Sequence, residues 1–415
     1  MKTLLDIDMS EATRLTREGR LDEAMALLPG ALPSAPSPVS PPPTGTQPEP
    51  GPFPRAKVFL DMVPPSPETG GSWTAPEDSA RQSAGPSEAI GRPDMPEAMR
   101  EFLDRLGQPG SAAGLNGRAG LRKGRAPAPL PEGARFEKRD YANEAGTRAY
   151  KLYVPSGFTG QPLPLVVMLH GCTQSPDDFA AGTRMNEIAE EQTFLVAYPE
   201  QAQSANASKC WNWFSAADQQ RDRGEPSLLA GITREIMRDF PVDAGRVYVA
   251  GLSAGGAAAA IMGATYPDLY AAVGVHSGLA CGAASDLPSA FTAMRQGGSP
   301  GSRGSRVPTI VFHGDRDTTV SPVNADQVLA QSRSAADLQT TVTRGEAPGG
   351  IRYTRAVEAD ETGRSILEHW VLHGAGHAWS GGSAAGTYTE PRGPDASREM
   401  MRFFLQHSKT PASRS

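Results

Sequence analysis

From about Gly133 onward, apolar residues come in short continuous runs that alternate with stretches of helical spacing. Runs at 165–169, 194–198, 247–250, 271–275, 309–312 and 369–372 predict buried strands. Between them, Leu229, Ile232, Ile236 and Phe240 recur at three- and four-residue intervals and predict one helix face. Further helices are predicted over 322–331 and 396–406. Continuous apolar strands alternating with helices imply an α/β class, with a mostly parallel sheet covered on both faces. Ligands in such folds gather beyond the carboxyl ends of the strands. His170, Ser253, Asp317 and His377 each follow the end of a predicted strand.

The pattern before Gly133 is different. Residues 1–30 carry a helical spacing at Leu4, Leu5, Met9, Ala12 and Leu15, then at Leu21, Ala24, Met25, Leu27 and Leu28, with Gly19 between the two runs. They predict a short helical segment, read as an oligomerisation or docking element. Residues 31–132 are rich in Pro, Ser, Gly and Ala and bury too little apolar area to offset chain entropy, so disorder is expected there. A single helix is predicted within them at 95–106. The domain plan is therefore a segment at 1–30, a linker at 31–132, a catalytic domain at 133–407 and a polar tail at 408–415.

Of the 415 residues, 38% are hydrophobic and 21% charged, enough for a sizeable core. A net charge of −6 gives no electrostatic case for nucleic acid. No apolar run approaches the roughly 20 residues that a membrane span needs. Residues 1–30 carry charges throughout and show no secretory pattern, which predicts a cytoplasmic location. Three cysteines, Cys172, Cys210 and Cys281, make no disulfide scaffold. Either a Cys172–Cys210 bridge in an oxidising compartment or three reduced thiols fits this number.

Gly251-Leu252-Ser253-Ala254-Gly255 lies between the apolar run at 247–250 and the helical stretch that starts at Ala257. A G-x-S-x-G pentapeptide between a strand and a helix is the nucleophile elbow of α/β-hydrolases, a tight turn that leaves the serine hydroxyl exposed. The fold class expected is thus the α/β-hydrolase. A serine hydroxyl needs an imidazole to take its proton and a carboxylate to orient that imidazole. In this fold the acid and then the base follow the serine in the chain. His377 sits in a glycine-flanked loop, Gly374-Ala375-Gly376-His377, and is the expected base, with His373 as the alternative. Asp317 is the expected acid, with Asp315 as the alternative. The oxyanion donors expected are the amides of Ala254, next to the nucleophile, and Cys172, in the loop after the strand at 165–169. Trp211, Asn212 and Trp213, together with Trp379, are candidate substrate-binding residues, and a hydrophobic plug under the loop is the other reading of the tryptophans. No metal and no cofactor is expected.

Six ordered motifs, HGCTQ at 170–174, CWNWF at 210–214, GLSAGG at 251–256, HGDRDTTV at 313–320, GAGHAWSGG at 374–382 and PRGPDASREMMRFF at 391–404, resemble the polyhydroxybutyrate depolymerase family of esterases. The resemblance covers roughly 133–407 and is to members whose serine motif lies in the middle of the catalytic domain. It implies Ser253 as nucleophile, Asp317 as acid, His377 as base and Cys172 at the oxyanion position. It implies a serine esterase acting on short-chain polyhydroxyalkanoate or its oligomers, and an extracellular location as the alternative to a cytoplasmic one. A feruloyl or acetyl-xylan type carbohydrate esterase is the second function the family allows. A non-catalytic, granule-associated protein docking through its N-terminal segment is the remote one.

Overall fold

The computed structural model describes residues 129–298, 307–333 and 337–409. The expectations for 1–30, for the linker up to 128 with its helix at 95–106, and for the end of the tail lie outside the described residues.

The centre is a ten-stranded sheet. Its strands are β1 (Arg135–Asn143), β2 (Gly146–Val154), β3 (Leu163–Leu169), β4 (Leu195–Pro199), β5 (Val242–Leu252), β6 (Ala272–His276), β7 (Thr309–Gly314), β8 (Gln339–Glu346), β9 (Arg352–Ala359) and β10 (Ser365–Leu372). They run in the order β1-β2-β4-β3-β5-β6-β7-β10-β9-β8. The stretch from β4 to β10 is parallel throughout. Antiparallel strands flank it, with β2 and β1 at one side and β9 and β8 at the other.

The helices are α1 (Pro176–Thr183), α2 (Met185–Gln192), α3 (Gly224–Asp239), α4 (Ala254–Thr265), α5 (Leu287–Gln296), α6 (Val323–Ser332) and α7 (Ala396–Phe404). Side chains alternate across the sheet, so β3 sends Leu165, Val167 and Leu169 into one core and Val166 and Met168 into the other. The first core is closed by α3, α4, α5 and α6, and the second by α1, α2 and α7. Every residue of β3 is buried, which is why its sequence is a continuous apolar run and not an alternation. In α7, Met400, Met401, Phe403 and Phe404 are fully buried, each contributing on the order of 1.5–3 kcal/mol by leaving water. Asp395 fixes the start of α7 by accepting a hydrogen bond from Arg398 N at 3.0 Å.

This is the α/β-hydrolase architecture. Each predicted strand falls within or overlaps an observed one, and the predicted helices fall at α3, α6 and α7. The flanking strands β1, β2, β8 and β9 were not anticipated. β8 is exposed at nearly every position, so no apolar periodicity marks it. No helix among the described residues is long and apolar enough to cross a membrane.

Candidate active site

Ser253 occupies the turn from β5 to α4 with φ 58° and ψ −120°, a conformation that L-residues rarely adopt. Two glycines permit it. A Cβ on Gly251 would stand 2.2 Å from Gly255 O, and one on Gly255 would stand 2.0 Å from Leu169 O. Strain of this kind costs of order 1–3 kcal/mol and persists where the surroundings over-determine it. Here Ser253 N donates to His276 O at 2.9 Å, and Ser253 O accepts the first helical bond from Ala257 N, also at 2.9 Å.

Asp317 follows β7 and is buried. Its Oδ1 accepts from Thr319 N and Val320 N, each at 2.9 Å. Its Oδ2 lies 2.7 Å from His377 Nδ1. Burial alone would raise this carboxyl, but the facing His377 and His313 hold it well below the usual carboxylate range. An ionised Asp317 requires the proton of His377 on Nδ1, which leaves Nε2 as the acceptor. Among the described residues, His377 Nε2 is buried and has no hydrogen-bond partner. Asp317 and His377 therefore form the acid–imidazole couple that a serine nucleophile needs. Their alternatives form a separate couple. Asp315 Oδ2 lies 2.9 Å from His373 Nδ1, Asp315 Oδ1 accepts from Gly374 N at 2.7 Å, and His373 Nε2 meets Thr354 Oγ1 at 2.8 Å. Both nitrogens of His373 are thus engaged, and the pair ties the loop after β7 to the loop that carries His377.

The loop after β3 turns sharply, with Thr173 at φ 66°. Gly171 N donates to Gln174 Oε1 at 2.9 Å and Thr173 N to Ser208 O at 2.8 Å. Among the described residues the amide between them, that of Cys172, donates to no protein group. Ala254 is the first residue of α4, so its amide has no intrahelical partner either. Both residues line the cleft that holds Ser253. Cys172 and Cys210 are joined in a disulfide that walls the same cleft, and Cys281 is buried. The cleft is otherwise apolar, with Trp213, Phe214, Leu279, Phe291 and Met294 among its walls.

Of the four candidate substrate-binding residues, Trp213 faces this cleft and three do not. Trp211 is fully buried and donates from Nε1 to His170 O at 3.0 Å. Trp379 is buried, donates from Nε1 to Ser397 Oγ at 3.0 Å and stacks on His276. Asn212 is bound through both N and Nδ2 to Glu225. Their polar groups are engaged inside the protein, and Trp211, Asn212 and Trp379 do not line the cleft that holds Ser253.

One site histidine, His276, escaped the sequence reading, and His313 was read as hydrogen-bonding at its strand end. His276 ends β6, accepts from Ser380 N at its Nε2 at 3.0 Å, and is pushed down to about 3 by burial. It thereby connects the Ser253 turn with the chain just beyond His377. His313 Nε2 donates to Val320 O at 2.9 Å and lies 3.4 Å from Asp317 Oδ2, behind the acid. A histidine directly after an apolar run was the available signal for His276. Among the described residues, no group of three or more His, Cys, Asp or Glu side chains is placed to hold a metal ion.

The profile of the family described as Esterase PHB depolymerase matches residues 148–347. Poly(3-hydroxyalkanoate) depolymerase C of Paucimonas lemoignei is 31% identical over 54% of this chain and 57% of its own length. Feruloyl esterase B of Neurospora crassa is 29% identical over 63% of this chain and 89% of its own length. A probable acetylxylan esterase A of Aspergillus clavatus is 27% identical over 52% of this chain and 76% of its own length. The chain thus spans a little over half the length of the depolymerase. Among solved structures, the acetyl xylan esterase from Aspergillus awamori superposes with a TM-score of 0.50 at 21% identity, covering 66% of this chain and 99% of that chain, a likeness that carries the fold alone. Residues 148–347, with the serine motif between β5 and α4, thus match the domain of the PHB depolymerase family of esterases.

Proposed function

We propose that the chain is a serine esterase that works through an acyl-enzyme, with Ser253 as nucleophile, His377 as base and Asp317 as the acid that orients it. The observation that carries this is the 2.7 Å Asp317–His377 bond, which leaves His377 Nε2 unoccupied. In the reaction proposed, Ser253 Oγ attacks the ester carbonyl while its proton passes to His377 Nε2. The amides of Cys172 and Ala254 donate to the oxyanion that forms. Collapse expels the alcohol, which takes the proton from His377, and water attacks the acyl ester by the same route.

The substrate proposed is a short-chain 3-hydroxyacyl ester, as polyhydroxybutyrate oligomers or amorphous polymer. An apolar cleft beside Ser253 and the match of residues 148–347 to the family support it. A second reading, a carbohydrate esterase removing feruloyl or acetyl groups, is favoured by the Trp213 and Phe214 rings in that cleft and by the names of the relatives. The Cys172–Cys210 bridge supports an oxidising compartment. Docking of granules or a protein through residues 1–30 belongs to the same reading.

The test is release of 3-hydroxybutyrate from amorphous polymer, beside p-nitrophenyl butyrate, methyl ferulate and acetylated xylan, for the wild type and Ser253→Ala. Polymer hydrolysis is expected, and Ser253→Ala is expected to lower every activity by at least about 10⁴-fold. Activity on the sugar esters alone would move the function to the second reading. Full activity in Ser253→Ala would remove the serine mechanism. A truncation lacking 1–130, run in the same assay with granules, tests the docking role.

A further inference from the structure

Behind the disulfide lies a buried carboxylate that the reaction above does not use. Glu225, near the start of α3, is 6% exposed. Three N–H groups converge on its two oxygens. Asn212 N donates to Oε2 at 2.8 Å, Asn212 Nδ2 donates to Oε1 at 2.9 Å, and Gln201 Nε2 makes a short contact with Oε1. The same Gln201 Nε2 donates to Cys210 O at 2.8 Å, and Gln201 N donates to His170 Nε2 at 3.0 Å. Trp211, between Cys210 and Asn212, donates to His170 O. Residues 210–212 have no regular secondary structure. Glu225, Gln201 and His170 hold them together with Asn206, which accepts from Cys210 N at 3.3 Å and donates to Asn212 Oδ1 at 2.9 Å, and the segment is covalently joined to Cys172.

The donor count fixes the form of the acid that suits this place. A carboxylate offers only acceptors, whereas a protonated carboxyl, or the amide of glutamine, turns one donor toward another donor. An isolated buried carboxylate is costly, and removing a partner from a buried polar network leaves unpaired groups. The facing charges are few. Arg148 on β2 places NH2 3.8 Å from Oε1 and is itself buried. Asp218, in the short turn of 3₁₀ helix at Ala216–Gln219, is the like charge, and its Oδ1 accepts from Glu225 N at 2.8 Å. His170 is held neutral, pushed down to about 4 by burial. At the rim, Lys209 pairs with Glu200 at 3.4 Å.

We propose that Glu225 is a positioning residue for ester hydrolysis: its carboxylate anion clasps the Cys210–Asn212 turn and, through the Cys172–Cys210 bridge, sets the Cys172 amide against Ser253. The inference rests on the esterase reading above and deepens it. Burial, with Asp218 beside it, pushes the Glu225 carboxyl up to about 7, against the pull of Gln201, Asn212 and Arg148. Protonation therefore loosens the clasp as the pH falls below about 7. Two groups, His377 and Glu225, must then be unprotonated for turnover.

The experiment is the pH profile of kcat/KM for p-nitrophenyl butyrate with the full chain, for the wild type and Glu225→Gln. On the acid side, the wild type is expected to fall with a slope of two protons and Glu225→Gln with a slope of one. At the optimum, kcat of the variant is expected to drop about 10- to 100-fold with KM changed less than about threefold, the pattern of a lost transition-state contact. A wild-type acid limb of unit slope overturns the inference even if the variant does not fold. A folded Glu225→Gln with wild-type kcat overturns it as well. A chain that hydrolyses no ester, and whose Ser253 is not labelled by a fluorophosphonate, overturns the esterase reading itself. Hydrolysis with unit slope overturns the Glu225 inference alone.

Discussion

His276 and His170 hold their places as neutral rings. Burial pushes them to about 3 and about 4, from 6.5 in the unfolded chain. Below pH 6.5 the unfolded state binds more protons at these two positions than the folded state, so stability falls as the pH drops toward their folded values. Asp317 acts in the same direction further down. Its carboxyl is depressed in the fold, so its contribution is present above the ordinary carboxylate value of 3.8 and is lost as the pH falls below it. Glu225 acts the other way. Raised from 4.5 to about 7, it makes the fold more stable as the pH drops through that window. The urea midpoint is expected to decline below pH 6.5. His276→Gln, which keeps an acceptor for Ser380 N, is expected to flatten that decline by close to one proton. An unchanged slope in the variant would count against a neutral, buried His276. At this scale the sequence offered Ser253, Asp317 and His377 as candidates, because each sits in a short motif with its own glycines or turn residues. It hid His276, whose partner Ser380 is 104 residues away. It hid Glu225 because a glutamate at the start of an amphipathic helix reads as solvent-facing. For Trp211 the sequence left substrate contact and a hydrophobic plug both open, and Trp379 was read as a wall of the site; both rings are buried, with acceptors, His170 O and Ser397 Oγ, that lie well away in the chain.

The turn between β5 and α4 depends on two backbones passing almost in contact. Gly255 → Ala would push a methyl group into the carbonyls of Leu169 and His170, at 2.0 and 2.5 Å. Neither carbonyl can retreat easily: Leu169 is paired with Gly251 of β5, and His170 O accepts from Trp211 Nε1 at 3.0 Å. The variant is expected to lose at least about 3 kcal/mol of stability, or to fail to accumulate in soluble form, as read by denaturant unfolding and yield. A stable, active Gly255→Ala would mean that the turn is looser than described. Elements were legible where burial was two-sided. β3 to β7 and β10 announce themselves as apolar runs because helices cover both of their faces. β1 and β2 were missed because β1 is mostly polar and half-exposed. α1 and α2 were missed for their brevity, eight residues each, with most of their stabilisation coming from contacts with the sheet and α7.

At the scale of the whole described body, the sequence texture changes at Gly133, and among the described residues the first strand begins at Arg135. Texture could not reveal that the sheet extends beyond its parallel centre at both sides, since antiparallel margins need no apolar run of their own. The two margins also differ in how they meet their neighbours in solution. β1 carries Arg135, Glu137, Lys138, Arg139 and Asp140 along its nine residues, a density of charge that discourages a foreign strand from adding to it. β8 carries only Arg344 and Glu346 in eight residues, has no proline, and leaves Val342 55% exposed. Among the described residues nothing pairs with its outer edge. Colloidal behaviour at high concentration should therefore be governed from the β8 end, independently of the chemistry at Ser253. Val342→Lys is expected to raise the concentration at which light scattering first detects association while leaving ester hydrolysis unchanged, whereas an equal onset in both proteins would place the sticky surface elsewhere.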